Sequence, residues 1–146
     1  QVVQRPGFVV LLCEGMNWRQ VQISDRPHIA DDIRLWNGDS VARWEGDTLV
    51  VDTKNMNGQA WLNEVGDVMT HDAKIVERFT PVSGDRITYS ATVTDMLAYT
   101  RPWTIQMNLN RQDDELLEAA CHEDNGDLPH LKDVRDEYRA KNKKEK

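Results

Sequence analysis

Short runs of alternating apolar and polar residues recur along most of the chain, and compact turn sequences separate them. Alternation with a period of two is typical of strands that bury one face. Helical periodicity is almost absent before residue 128. Short links join antiparallel neighbours. The pattern predicts strands over 8–14, 18–24, 40–45, 48–53, 74–82, 86–94, 103–111 and 115–122.

Eight strands in mostly sequential order favour an all-β fold. We expect an antiparallel up-and-down β-barrel of the lipocalin type or a strongly curved sheet, because closure or curvature protects exposed strand edges. Such a barrel can hold one small ligand. A two-sheet sandwich is an open alternative.

The length of 146 residues indicates one domain with a real core. We predict a single domain over 1–146, with the barrel in 1–125. A C-terminal helix is expected over 126–142, where apolar residues take up helical spacing, and a charged tail follows over 143–146.

Composition limits the partners. The formal net charge is -7, which argues against nucleic acid because phosphate-binding surfaces need clustered Lys and Arg. No apolar run approaches the ~18 residues that a membrane span requires. Signatures of phosphate, dinucleotide and serine-hydrolase sites are missing. We expect a small-molecule ligand or substrate and no cofactor, and the oligomeric state is open.

The only two cysteines, Cys13 and Cys121, lie far apart in the first and last predicted strands. Neither belongs to a CxxC pair, which excludes a zinc ribbon or a thioredoxin-type motif. If the two strands meet, a disulfide becomes feasible. Two buried thiols are the alternative.

The segment 38–53 reads GDSVARWEGDTLVVDT and predicts a hairpin around Gly46 and Asp47. In that register Glu45 faces Thr48. One face then carries Ala42, Trp44, Leu49 and Val51, so the charges face water and Trp44 faces the core or a cavity.

The same segment, together with VERF at 76–79, YTRPWT at 99–104 and CHEDN at 121–125, resembles a large family of uncharacterised bacterial proteins that are commonly exported. The resemblance covers Gln4 to the C-terminal helix and implies no activity. Family members often carry His where this chain has Met69 and an aromatic residue at Gly126. Joined to a start at Gln1 that we interpret as processed, the resemblance implies a periplasmic or secreted protein.

Glu77 is the first candidate for chemistry, since alternation places it with Ile75 and Phe79 on an apolar face. A carboxylate in a cavity suits acid or base work. The alternative is a structural carboxylate bonded to a Tyr or a backbone amide. Further catalytic candidates, at the last strand end and at a strand entry, are His122, Glu123 and Tyr99.

Aromatic residues in the long links 25–39 and 54–73 are candidates for ligand contact, because long links on small sheet proteins often form rims. Arg101 can anchor an anion, although the segment containing it also suits a structural corner. The predicted ligand-binding residues are Trp36, Trp44, Trp61, Arg101 and Trp103.

The four histidines, at 28, 71, 122 and 130, show no metal-ligand spacing, so we predict no metal site. The sequence favours a small-molecule-binding barrel of unknown ligand with acid-base activity as an addition. The first alternative is a cofactor-free lyase, isomerase or cyclase that uses a buried carboxylate. The second is a structural or assembly module.

Overall fold

The computed structural model describes residues 1–13, 18–63, 66–113 and 127–142, and within the last range it describes side chains over 131–140. Its elements are β1 (Val2–Arg5), β2 (Phe8–Leu12), β3 (Trp18–Ile23), β4 (Asp39–Glu45), β5 (Thr48–Lys54), β6 (Lys74–Ser83), β7 (Arg86–Thr94), β8 (Trp103–Asn110) and α1 (Asp127–Asn142). The structure divides into two compact units, one containing the sheet and the other containing α1.

The eight strands form one sheet in the order β1 to β8, curled into a half-barrel. The prediction of a strongly curved all-β sheet with a C-terminal helix is therefore confirmed. Each strand predicted between 8 and 111 is observed with its ends shifted by two residues at most. The strand predicted over 115–122 lies outside the described residues, and β1 was not predicted.

One strand pair departs from the up-and-down order. β3 and β4 are parallel, with Gln22 opposite Val41 and Ile23 opposite Ala42, whereas every other pair in the described sheet is antiparallel. Parallel neighbours need a long crossover connection, and the link 24–38 supplies it. This crossover segment carries Trp36.

The β4–β5 hairpin has the predicted register, from Glu45 opposite Thr48 to Asp39 opposite Lys54. Gly46 takes a φ of 59°, which the two-residue turn requires. The hairpin contributes to the core, a buried cluster of Val9, Val21, Ala42, Leu49 and Val51.

The prediction that Trp44 faces the core is wrong, because its side chain is 44% exposed. Ala42 and Leu49 on the same face are 0% and 5% exposed, respectively. Trp44 lies next to the tip of the hairpin, beyond the residues that bury the middle of β4.

Asp39 holds the start of the crossover segment against β4. Its carboxylate accepts two hydrogen bonds from the Arg26 guanidinium, at 3.0 and 2.6 Å, and one from the Ile29 amide. His28 Nδ1 lies 2.8 Å from the same carboxylate. The Arg26 hydrogen bonds, with help from His28 and Ile29 and against the effect of burial, lower the pKa of Asp39 to about 2.

Asn55, directly after β5, holds the rest of the crossover segment. It is 1% exposed and has a left-handed φ of 65°. Its Nδ2 donates to the carbonyls of Ala30 and Ile33, at 2.9 and 3.1 Å, and its own carbonyl accepts from the Leu35 amide. The link is thus fixed on both sides of Asp31 and Asp32.

Asp95, directly after β7, holds two further links in place, 55–73 and 95–102. Its carboxylate accepts hydrogen bonds from the amide and hydroxyl of Thr70 and from the amides of Leu97 and Ala98. Burial raises the pKa of Asp95, but these hydrogen bonds outweigh burial and leave the pKa below its ordinary value.

Asp39→Asn should make folding stability less sensitive to acid. The pKa of Asp39 falls from 3.8 to about 2 on folding, so the carboxylate contributes about 2 kcal/mol that is present above about pH 4 and lost as pH falls through about 2. Urea unfolding of wild type and variant at about pH 5 and about pH 2 measures the difference. We expect the variant to be less stable than wild type at the higher pH and to lose less free energy of unfolding on acidification.

The matched control is Asp32→Asn, an exposed carboxylate in the same link. It should keep the wild-type pH dependence. Equal acid sensitivity in wild type and Asp39→Asn would contradict the assigned role of the Arg26–Asp39 pair.

Candidate functional site

The concave face of the curled sheet lines a cavity of about 670 Å³. Strand alternation produces it, because every second residue of the paired strands points to this face. Most of the lining is apolar, and it includes Val2, Leu11, Leu12, Met56, Met69, Ile75, Phe79, Met107 and Leu109.

Three tryptophans also line this concave cavity: Trp18 at the start of β3, Trp36 in the crossover segment and Trp61 in the link after β5. Their exposed fractions are 62%, 63% and 69%, respectively, so they lie where the cavity opens to solvent. Trp36 and Trp61 were predicted to contact a ligand. Trp18 was not predicted.

Glu77 lies in the wall of the cavity and is only 6% exposed. The predicted face is confirmed, because Ile75 and Phe79 line the same cavity. One oxygen of Glu77 accepts a hydrogen bond from Arg19 Nη2 at 2.6 Å, and the other accepts from the Tyr89 hydroxyl at 2.9 Å. Both oxygens of this buried carboxylate therefore have a partner.

The Arg19–Glu77 ion pair depends on the curl of the sheet. Arg19 is on β3 and Glu77 is on β6, with β4 and β5 between them in the sheet order. At about 4.8 Å per strand, the two backbones are about 14 Å apart along the sheet. Curvature brings the side chains together across the concave face.

Tyr89 completes this polar cluster. It lies opposite Phe79 on the neighbouring strand, with the ring centroids 4.9 Å apart. Burial, followed by the negative charge of Glu77 and the hydrogen bond to it, raises the pKa of Tyr89 above its ordinary value. The phenol therefore keeps its proton at neutral pH and acts as a hydrogen-bond donor to Glu77.

The predicted site residues of the 99–104 segment do not line the concave cavity. The Tyr99 hydroxyl donates to the carbonyl of Val68 at 2.9 Å, and its ring meets the Trp103 ring edge-on at 5.6 Å. Arg101 is exposed, and the buried Nε1 of Trp103 has no acceptor within the described residues. These contacts favour the structural corner that the sequence left open, and Trp44 likewise lies outside the cavity lining.

Other candidates fall partly or wholly beyond the described residues. His122 and Glu123 lie there, as does Cys121. Cys13 is exposed and lines the cavity. The catalytic roles of His122 and Glu123 and the disulfide stay predictions.

A smaller cavity of about 420 Å³ is lined by polar side chains together with Ala73, Met96 and Leu97. Within this lining Lys54 pairs with Asp31 at 3.2 Å, and Arg34 donates to the backbone carbonyl of His71. These contacts join the crossover segment to the end of β5 and to the link that follows it.

In the described part of the chain, no three or more His, Cys, Asp or Glu side chains group so as to hold a metal ion. His28 contacts two carboxylates: its Nδ1 lies 2.8 Å from Asp39, and its Nε2 lies 3.6 Å from Asp52. Over the same residues, no helix combines the length and apolarity that a membrane crossing needs.

No protein-family model, curated protein or solved structure matches the chain.

Sequence reasoning missed Arg19 and Tyr89, although Arg19 carries a signal. Alternation in β3 places Arg19 with Val21 and Ile23, which makes Arg19 a cation on an apolar face as Glu77 is an anion on one. Two opposite charges on inward faces predict an ion pair, since a buried charge needs a partner.

Glu77→Gln should destabilise the fold by about 1–3 kcal/mol, because Arg19 loses its counter-charge while Gln retains one acceptor for Tyr89. Urea unfolding at neutral pH measures the change. Glu45→Gln is the control, since exposed Glu45 also pairs with two arginines, Arg43 and Arg78. Glu45→Gln should lower the free energy of unfolding by much less, because solvent screens the exposed ion pairs of Glu45. Equal losses in the two variants would contradict a buried, stabilising Arg19–Glu77 pair.

Proposed function

We propose that the protein binds an apolar or aromatic small molecule in the concave cavity. The observation that carries the proposal is the combination of an apolar cavity of about 670 Å³ with one compact polar cluster in its wall. Ligand sites typically measure about 300–1,000 Å³ and combine apolar walls with a few placed polar groups.

The tryptophans support this function. Trp18, Trp36 and Trp61 lie at the opening of the cavity with most of their surface in solvent. Covering large exposed aromatic side chains with a ligand is favourable, so such side chains mark binding surfaces. Two of the three are on links that buried polar residues hold in place, so the site needs little ordering when it binds.

The Arg19–Glu77–Tyr89 cluster supplies orientation. Apolar contact gives affinity without direction, whereas hydrogen bonds fix which end of a ligand faces inward. Arg19 presents a planar guanidinium with five N–H groups, of which the contact with Glu77 uses one Nη2 donor. The remaining donors suit a hydroxyl, carbonyl or amide oxygen.

A second candidate is a cofactor-free lyase, isomerase or cyclase in which Glu77 transfers a proton. It is favoured by a buried carboxylate in the wall of an apolar cavity. It is disfavoured by the contacts of Glu77, since Arg19 and Tyr89 bond both oxygens. A base so held must give up one contact before it reaches a substrate, which makes binding the better supported function.

We further propose membership of the exported bacterial family and a periplasmic or secreted location. Both are supported by the motif resemblance in 38–53, 76–79 and 99–104. Fractionation of the native host with a specific antibody tests the location, and a cytoplasmic pool alone would contradict it.

Binding is testable with 1-aminoanthracene, an uncharged planar probe whose fluorescence rises in apolar surroundings. We expect saturable enhancement with wild type. Met107→Arg should weaken binding at least tenfold, because it places a charge on the concave face opposite Tyr89. The measurement is a fluorescence titration.

The matched control is Gln106→Arg, which adds the same side chain to the same strand but to the opposite face. It should bind like wild type. Absence of saturable binding to the wild type, or an equal loss in both variants, would contradict binding in the concave cavity.

Proton transfer has its own test. A ligand that binds is incubated with the protein in D₂O and recovered, and its mass is measured by mass spectrometry. Deuterium uptake or isomerisation that is lost in Glu77→Gln and kept in Glu45→Gln would support the second candidate. Recovery of an unchanged ligand would leave binding as the function and contradict acid-base chemistry on that ligand.

A further inference from the structure

We propose that the Arg19–Glu77 pair sets the charge selectivity of the concave cavity, so that it takes uncharged planar molecules and rejects both anions and cations of the same shape. The inference rests on the proposed binding function and names its ligand class. In it Glu77 acts as a built-in counter-ion that occupies the anion-binding capacity of Arg19.

The charges of the lining support this selectivity. Arg19 and Glu77 are the charged side chains among the described residues that line the cavity, and their formal charges cancel. The terminal ammonium group of Gln1 also lies at the lining, but it is exposed and donates to the carbonyl of Leu12 at 2.7 Å. Its contribution is screened by water and is the same in every variant of the pair.

The geometry of the pair explains the rejection of anions. Arg19 reaches Glu77 at 2.6 Å, and the Glu77 side chain is 7% exposed. A ligand carboxylate that docks on the outer donors of Arg19 lies close to the Glu77 carboxylate. In apolar surroundings that repulsion is poorly screened, and the ligand also gives up its hydration.

The same geometry rejects cations. A ligand ammonium group that approaches Glu77 meets the guanidinium of Arg19 and finds the Tyr89 hydroxyl hydrogen already directed at the carboxylate. A hydroxyl or carbonyl group meets neither penalty. Either group accepts from the outer N–H groups of Arg19, and a hydroxyl also donates to the Tyr89 oxygen, while the ring of the ligand covers the apolar wall.

Removing either charge of the Arg19–Glu77 pair should therefore change which charged ligands the cavity accepts. Without the carboxylate, Arg19 is a buried cation that lacks a counter-charge, and an anionic ligand supplies one. Without the guanidinium, the Glu77 carboxylate is a buried anion that lacks a counter-charge, and a cationic ligand supplies one. The selectivity should move in opposite directions in the two variants.

The experiment compares three naphthalene probes by isothermal titration calorimetry at neutral pH: 2-naphthol, which is uncharged, 2-naphthoate, which is an anion, and 2-naphthylmethylamine, which is a cation. Wild type should bind 2-naphthol at least tenfold more tightly than either ion. Glu77→Gln should raise the naphthoate-to-naphthol affinity ratio at least tenfold. Arg19→Met should lower that ratio or favour the ammonium probe.

Circular dichroism first checks that each variant is folded, and the two variants serve as alternatives should one not fold. Glu45→Gln, which removes an exposed carboxylate outside the cavity lining, should leave all affinity ratios unchanged. Binding of all three probes with ratios that are equal across wild type and both variants would overturn the selectivity and leave the proposed binding function standing. Failure of every probe to bind any form would overturn both.

Discussion

A carboxylate on the inner face of an apolar sheet needs a compensating partner, and the way Glu77 obtains one shapes much of this protein. Its partner Arg19 lies 58 positions away in the chain and three strands away in the sheet. A flat sheet would hold the two side chains too far apart to meet. The curl that allows the contact also creates the concave cavity, so the ion pair and the candidate site have one geometric origin.

The long links follow the same rule that buried polar groups are hydrogen-bonded. Asp39, Asn55 and Asp95 lie at strand ends, are almost fully buried, and bind the backbone or side chains of the links that pass over them. The crossover segment and the link after β5 are thereby held in place, and with them the tryptophans at the opening. For the proposed binding function, links fixed in this way reduce the ordering free energy that a ligand would have to offset.

The contacts that stabilise Glu77 also bear on the two roles proposed for it. A general base needs an accessible lone pair near a substrate proton. Arg19 and Tyr89 hold the two oxygens of Glu77, and burial, which raises the pKa of Tyr89, keeps its hydroxyl a donor well into the alkaline range. These are the features of a fixed polar group that orients a ligand, and they favour binding over proton transfer.

Local patterns in the sequence determined the strand positions between 8 and 111, the β4–β5 register and the inward face of Glu77, because alternation and turn chemistry act over a few residues. Only the tertiary structure decided that β3 and β4 run parallel, that Trp44 is exposed, and that Arg19 meets Glu77. Each of these depends on which distant strands become neighbours and how far the sheet curls. Alternation in β3 marked Arg19 as an inward cation, but the choice of its partner required the curvature of the whole sheet.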